Sequence, residues 1–394
     1  MKNRKLAIIT THPIQYNAPL FKLLSESKSF DIKVFYTWSQ AQNEVFDKDF
    51  GISRSWDIPL LEGYDFTFVK NISPDPGSHY FKGIINPSLN KEIEEWKADA
   101  LLVYGWAFSS HLKAIRYFSK KIPVFFRGDS TLIDEPAGFS FKKAMRRIFL
   151  KWVYSHVSYA LFVGSANKKY YAVHGLKPAQ LVFAPHAVDN SRFLADQNEY
   201  IQKAKRWREQ LNISEKNIVF LFAAKLIKKK DPELLIKAFL SLNNSQTNLI
   251  IVGNGELEKE LKEKYKSYKD INFIDFQNQG QMPVVYRMCD VFVLPSKGPG
   301  ETWGLAINEA MACGRAVIAS DKCGCSEDII LPGKNGSVFE AGDVESLTNS
   351  MRSAFENYEK QGDYSKQIIK DWSYEKTVDQ LRILLEKQVL NAEG

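Results

Sequence analysis

The chain is punctuated by short, nearly continuous apolar runs, and these constrain its fold more than any other feature. They begin at residues 6–10 and recur at 31–37, 66–69, 100–105, 123–128, 159–164 and 181–185, with helical stretches between. Runs that show no polar alternation suit strands buried on both faces, which require crossover helices and a parallel sheet. After a polar helical stretch at 199–211 the rhythm restarts at 217–224, 248–254, 271–276, 291–296, 316–320 and 336–339. The expectation is an α/β protein of two Rossmann-like, doubly wound domains, residues 1–195 and 196–373. Residues 374–394 follow no further strand. Their apolar positions Val378, Leu381, Leu384 and Leu385 have helical spacing, so this last helix must pack on something already built and is expected to cross back to the first domain.

Composition removes several alternatives. Of the 394 residues 44% are hydrophobic and 25% charged, which supports two cores and argues against a disordered or fibrous chain. No apolar run approaches the roughly 18 to 20 residues of a membrane span, and the one that follows Lys5 stops at Ile9, too short for a signal peptide. All four cysteines lie at or beyond Cys289 and all six histidines at or before His186, so no Cys/His metal spacing exists and neither metal nor cofactor is expected. Reduced thiols imply a cytoplasmic address. The +7 net charge is uneven: residues 1–195 hold 26 Lys/Arg against 17 Asp/Glu, whereas the remainder holds 27 against 29. A basic, partner-facing surface therefore belongs to the first half.

In open parallel sheets ligands sit beyond the carboxyl ends of strands, so the loops after each run carry the chemistry. The most informative is PSKGPGETWGLAINEAMACGRAVIAS, residues 295–320, in which a buried strand ends in a glycine-rich turn that opens a helix. At Gly304 and Leu305 the first helical N–H groups lack internal partners and form a seat for phosphate. Glu309 can accept hydrogen bonds from a ribose diol and Glu301 from sugar hydroxyls. The bland alternative is a solvated turn residue and an exposed helix residue. The complementary stretch AAKLIKKKD, residues 223–231, follows the first strand of the same domain. Lys225 and Lys230 can project from it to hold a departing diphosphate, as Mg²⁺ does elsewhere. Lys228 and Lys229 read as solvated.

Glu301 and Glu309, as E-x7-E within GETWGLAINEAMACGRAVIAS, together with AAKLIKKKDPELLIKAF, VGNGELEKEL and FIDFQNQGQMPVVYRMCDVFVLPS, resemble retaining glycosyltransferases of family 4. The resemblance is dense over residues 217–340 and loose before them. It implies the GT-B fold, two Rossmann-like domains facing across a cleft, with the nucleotide-sugar donor on the second and the acceptor on the first. It further implies Lys225 and Lys230 on the donor diphosphate, Glu301 on the donor sugar, Glu309 on the ribose, and Gly304 and Leu305 on phosphate, with Thr302 and Trp303 in the same turn. Phe276 and Gln277 would edge the base, and Gly253-Asn254-Gly255 would pass close to the donor.

The first half departs from the family pattern. Where many members have a glycine-rich loop after the first strand, this chain has TTHPIQYN, residues 10–17, and Arg127-Gly128-Asp129 stands where many have a histidine. His12 or Asp129 could assist proton movement or only orient an acceptor hydroxyl; Gln15, Tyr16 and Arg127 are further acceptor-side candidates. Loops at 47–55 and 74–86 are expected to shape specificity.

Residues 141–155 interleave Lys142, Lys143, Arg146, Arg147 and Lys151 with Phe141, Ile148, Phe149, Leu150, Trp152 and Val153, up to Ser155. This basic amphipathic helix suits peripheral contact with an anionic membrane; the alternative is an interdomain helix whose apolar face is core. No nucleic-acid module accompanies it. The resulting expectation is a metal-independent, retaining glycosyltransferase that uses a UDP-sugar in preference to a GDP-sugar. Its acceptor is a hydroxyl of a glycan or lipid-linked glycan in bacterial envelope polysaccharide synthesis. An epimerase or hydrolase on the same fold, or a silent nucleotide- or glycan-binding protein, is the alternative.

Overall fold

The computed structural model describes residues 3–41, 45–47, 52–54, 56–195 and 197–393. The strands are β1 (Lys5–Thr10), β2 (Asp31–Tyr36), β3 (Val45–Asp47), β4 (Ile52–Arg54), β5 (Asp65–Phe68), β6 (Ala100–Tyr104), β7 (Val124–Arg127), β8 (Tyr159–Phe162) and β9 (Leu181–Phe183). They continue with β10 (Ile218–Ala223), β11 (Thr247–Val252), β12 (Ile271–Ile274), β13 (Val291–Leu294), β14 (Ala316–Ser320) and β15 (Gly336–Phe339).

Each apolar run of the sequence becomes a strand of one of two parallel sheets. The first sheet has the order β5-β2-β1-β6-β7-β8-β9, the second β12-β11-β10-β13-β14-β15. Register follows the hydrophobic runs: Leu6 pairs with Ile32 and Ala100, and Phe220 with Leu249 and Val291. Helices cover the sheets, and the β1 and β10 interiors are fully buried, as expected of two-sided strands. Two separate cores result, one around Ile9, Val103, Phe126 and Leu150, the other around Phe222, Ile251, Val293 and Ile318. The α/β class with two Rossmann-like domains is thus observed.

In both sheets the strand order reverses once, between β1 and β6 in the first and between β10 and β13 in the second. Such a reversal sends neighbouring crossover loops apart and leaves a crevice at the strand ends, the usual ligand position.

The chain divides into two compact units: Met1–Val45, Pro59–Pro185 and Tyr374–Gly394 in the first, Phe46–Ile58 and His186–Ser373 in the second. The division precedes position 195 because the helix Asn190–Leu194 is tied to the second unit: Phe193 is buried there, its carbonyl accepts from Arg287 at 2.6 Å, and Asn190 donates to the carbonyls of Ile369 and Trp372. Those partners are backbone oxygens, which leave no mark in a sequence. Part of the 47–55 loop, residues 48–51 and 55, lies outside the described residues; Asp57 beyond it accepts from the Gly280 N–H at 3.0 Å, a bond within the second unit. The helix Tyr374–Glu393 belongs to the first unit, where Leu381, Leu384 and Leu385 are buried and Tyr374 donates to the Tyr16 carbonyl at 2.9 Å. Among the described residues, no helix is long and apolar enough to cross a membrane.

Candidate active site

In the second unit, the crevice between β10 and β13 is furnished by the two loops that leave those strands. The β10 loop passes through Lys225 into a 3₁₀ turn, Lys228–Lys230, and Asp231 in the left-handed region ends it before Pro232 opens the next helix. The β13 loop runs from Ser296 to Gly304, which at φ +103° starts the helix Leu305–Ala312. Glycine is required there, because a Cβ would lie in left-handed backbone and 2.8 Å from the Leu294 side chain.

The loops meet through one ion pair. Lys230 Nζ donates to Glu301 Oε2, and the hydroxyl of the fully buried Ser296 donates to the same oxygen at 2.7 Å. The Lys230 and Glu301 side chains are only 17% and 10% exposed. A Cβ built on Gly304 would lie 3.9 Å from Glu301 Oε1, so the carboxylate stands beside the helix start whose free N–H groups favour anions. A cation and a carboxylate withdrawn from water need each other or a ligand, since either alone would carry a large desolvation cost. Beneath them lie two buried thiols: burial, with the Glu301 charge adding, pushes Cys323 up to about 12, and burial, with Cys323 and then Glu301 adding, raises Cys325. They are neutral packing groups.

The Gly-Asn-Gly loop after β11 closes one wall. Gly253 and Gly255 have φ +136° and +156°, and a Cβ on them would fall 2.2 and 2.5 Å from the carbonyl oxygens of Ala224 and Leu226. Only glycine allows this loop to lie against the segment that carries Lys225. Leu226 N–H donates to the Asn254 carbonyl, while the Asn254 side-chain oxygen accepts from Phe276 N–H at 2.7 Å. Asn254, Phe276 and Gln277 therefore share one edge, with Gln277 folded onto the Asp275 carbonyl. Lys225 is half-buried at the end of β10, and Lys228 is exposed.

Neither glutamate is the solvated residue of the bland alternative. Glu309 is 2% exposed and Oε2 accepts from the Tyr286 hydroxyl at 2.7 Å. The Lys230–Glu301 contact and the Glu309–Tyr286 contact are thus separate features of one helix-opening segment. Trp303 is a correction. Its side chain is buried between His186 and Trp372, with ring centroids at 5.6 and 5.0 Å, and its indole N–H donates to Asn308 at 2.8 Å. The ring is committed to packing.

In the first unit, the loop after β1 holds His12 edge-on to Trp38 at 5.2 Å, with Thr11 Oγ1 2.9 Å from Nδ1. Burial lowers its pKa to about 4, so the ring is neutral near pH 7. Gln15 and Tyr16 follow in the same loop, both half-buried, and the Tyr16 carbonyl is the one held by Tyr374. Asp129 is exposed after β7. Arg127 is the second correction: it is buried and donates to the carbonyls of Ala184 and Pro185 at 2.8 and 2.9 Å. A guanidinium whose fork already clamps two carbonyls beyond β9 is structural rather than acceptor-binding.

Three residues escaped the sequence reading. Ser296 and Tyr286 hold the two glutamates; Ser296 could have been found as the residue ending an apolar run. His111, fully buried on the helix Ser109–Phe118, lies beside the β1/β6 crevice. Its Nδ1 faces the carbonyls of Tyr104 and Gly105 at 3.1 and 3.0 Å, and Nε2 is 2.8 Å from Thr37 Oγ1. Burial lowers its pKa to about 4. The neutral tautomer thus carries its proton on Nδ1 and accepts from Thr37 at Nε2. Nothing in its sequence neighbourhood marks it.

Residues 203–371 match the family model for glycosyl transferases, group 1. The chain is 26% identical over 215 residues to the GDP-mannose-dependent alpha-(1-6)-phosphatidylinositol monomannoside mannosyltransferase of Mycolicibacterium smegmatis, covering 52% of this chain and 55% of that one. It is 32% identical over 166 residues to the lipopolysaccharide 1,2-N-acetylglucosaminetransferase of Salmonella typhimurium, covering 39% and 43%. The chain spans about half the length of the curated relatives it matches. Among solved structures, HepE of Anabaena in complex with UDP and glucose superposes with a TM-score of 0.70 at 18% identity, covering 98% of this chain and 100% of that one, a likeness that shows the fold alone, GT-B. With the strand ends, the helix-opening turn and the matched segment in agreement, residues 203–371 of the second unit are similar to the group 1 glycosyl transferases.

Proposed function

We propose that the protein is a retaining glycosyltransferase of family 4 that moves a sugar from a nucleotide diphosphate donor to a hydroxyl of a glycan or lipid-linked glycan, in bacterial envelope polysaccharide synthesis. The observation that carries this reading is the meeting of Lys230 and Glu301 from the two loops that leave β10 and β13, beside the helix start at Gly304. A donor diphosphate seated on the N–H groups of Gly304 and Leu305 takes over Lys230 from Glu301, with Lys225 beside it. Glu301, held by Ser296, then turns its oxygens to the sugar hydroxyls, and Glu309 serves the ribose. As the glycosidic bond to the diphosphate breaks, negative charge gathers on the leaving oxygen, and the two lysines stabilise it. Retention follows when the acceptor hydroxyl attacks from the face the diphosphate leaves and gives its proton to the departing oxygen. The reading assigns no step to a metal or to a protein nucleophile.

UDP is the preferred donor nucleotide, supported by the UDP-bound HepE structure of the same fold, and GDP is the competitor because the Mycolicibacterium relative is named for GDP-mannose. On the acceptor side, neutral His12 can accept a hydrogen bond from a hydroxyl, and Gln15, Tyr16 and Asp129 orient it. The protein acts in the cytoplasm, at the inner face of the membrane, with residues 141–155 as its contact. Incubation with a panel of UDP- and GDP-sugars, scored for nucleotide release with and without oligosaccharide acceptors, tests the reading. Release that depends on an acceptor and is strongest with a UDP-sugar is expected; release indifferent to acceptor indicates a hydrolase, and none with any donor defeats the proposal.

A further inference from the structure

The loops that leave β10 and β13 are joined by two ion pairs of opposite sense. In one, Lys230 of the first loop meets Glu301 of the second. In the other the charges are exchanged: Asp231 Oδ2 of the first loop stands 3.1 Å from Lys297 Nζ of the second. A backbone bond ties the same two stretches, because the Lys297 N–H donates to the Lys229 carbonyl at 2.9 Å. Lys230 and Asp231 are successive residues, so whatever holds Asp231 also bears on what Lys230 meets.

The second pair is uneven. The Asp231 side chain is 15% exposed and that of Lys297 47%. Asp231 is fixed by its backbone: at φ +49° it closes the 3₁₀ turn, its N–H donating to the Lys228 carbonyl at 3.3 Å and its own carbonyl accepting from the Leu234 N–H at 3.2 Å. Asp and Asn are the side chains that tolerate such a left-handed position best. Among the described residues, Lys297 is the one cation paired with the Asp231 carboxylate. The two partners are therefore not equivalent. Removing Asp231 leaves Lys297 in water, a small loss of the kind seen for exposed pairs. Removing Lys297 leaves a carboxylate largely withdrawn from water without its counter-charge, and such a group draws another cation to itself. The next cation along the chain is Lys230.

We infer that Lys297 is a positioning residue for the donor site, one that holds Asp231 and so keeps that carboxylate from taking Lys230. The inference rests on the donor reading of Lys230 and Glu301. Under that reading the Lys230–Glu301 bond opens when a diphosphate binds, and the two loops lose one of their ties at the moment the ligand needs them in register. The Asp231–Lys297 pair involves neither exchanging group. With the backbone bond from Lys297 to Lys229 it keeps the loops joined, and Lys230 has only Glu301 and the diphosphate to choose between. Lys297 thus acts on the donor through Lys230 and makes no contact of its own with it.

Calorimetric titration of the intact chain with UDP and with GDP decides it. Lys297→Gln should weaken binding of the preferred nucleotide about tenfold. Asp231→Asn, which keeps a residue suited to the left-handed turn, should change it less than about twofold. The double variant, Asp231→Asn with Lys297→Gln, should bind more tightly than Lys297→Gln alone and return to within about threefold of wild type, because the competing carboxylate is gone. That recovery also excludes unfolding as the cause of the single variant's loss, since both chains lack the same lysine. In a Lys230→Ala background, Lys297→Gln should have no further effect. Undiminished binding by Lys297→Gln, a double variant no tighter than Lys297→Gln, or a full additional loss in the Lys230→Ala background overturns the inference and leaves the donor reading standing. A wild-type chain that binds neither nucleotide defeats the donor reading and this inference with it.

Discussion

The two units share a strand-order reversal and differ in what stands beside it. At β10/β13 the side chains are a half-buried lysine and a carboxylate, next to a helix start that glycine leaves open. At β1/β6 they are neutral: His12 and His111, both depressed to about 4 by burial, with Thr11 and Thr37 as their partners. Under the proposed function one topology would serve two chemistries. Charged groups suit a diphosphate whose charge grows during reaction, and neutral acceptors suit hydroxyls that must be oriented without being bound too tightly.

The comparison breaks most readily at the ion pair. Lys230→Ala is expected to lower turnover about 10²- to 10³-fold, on the scale of losing an oxyanion donor, whereas His12→Ala should cost far less. Steady-state nucleotide release from both variants measures the contrast, and equal losses would erase the distinction between the two crevices. A second test addresses the wall beside Lys225: Gly253→Ala places a Cβ against the Ala224 carbonyl at positive φ. It should cost roughly 1–3 kcal/mol in urea unfolding and weaken nucleotide binding. A stable variant with wild-type affinity would mean that the close approach does not matter.

The smallest effect concerns the neutral histidines. Their folded pKa of about 4 lies below the unfolded value of about 6.5, so the unfolded chain binds more protons in between. Their contribution makes stability fall as pH drops from about 6.5 to about 4, with no effect above. The urea midpoint of the first unit should therefore be lower at pH 4.5 than at pH 7, and His111→Gln should flatten part of that slope. An unaltered slope would remove His111 from the account.

The fold was open to inspection because two-sided burial writes continuous apolar runs, and each became a strand. In the second unit the loops worth reading followed directly, since Gly253, Gly304, Lys230 and Glu301 all lie in the loops that leave the strands β10, β11 and β13. Trp303 and Arg127 misled for one reason: a large or charged residue next to a functional turn has the same spelling whether it faces a ligand or the interior. Only its partners distinguish the cases, here the rings of His186 and Trp372 and the carbonyls of Ala184 and Pro185. The 141–154 helix shows the converse, where composition announced an amphipathic helix but could not say that Phe141 and Ile148 are exposed while Leu150 and Val153 are buried.

Sequence by itself determined the two parallel sheets and the loops that hold the charged residues, because burial on both faces and helix-start chemistry are local rules. Tertiary structure alone decided that Lys230 and Glu301, 71 positions apart, share one bond, that the helix Asn190–Leu194 joins the second unit, and that His111 stands buried beside a crevice. Those outcomes depend on which strand ends the crossovers bring together and on backbone carbonyls, and neither is encoded in any single stretch of residues.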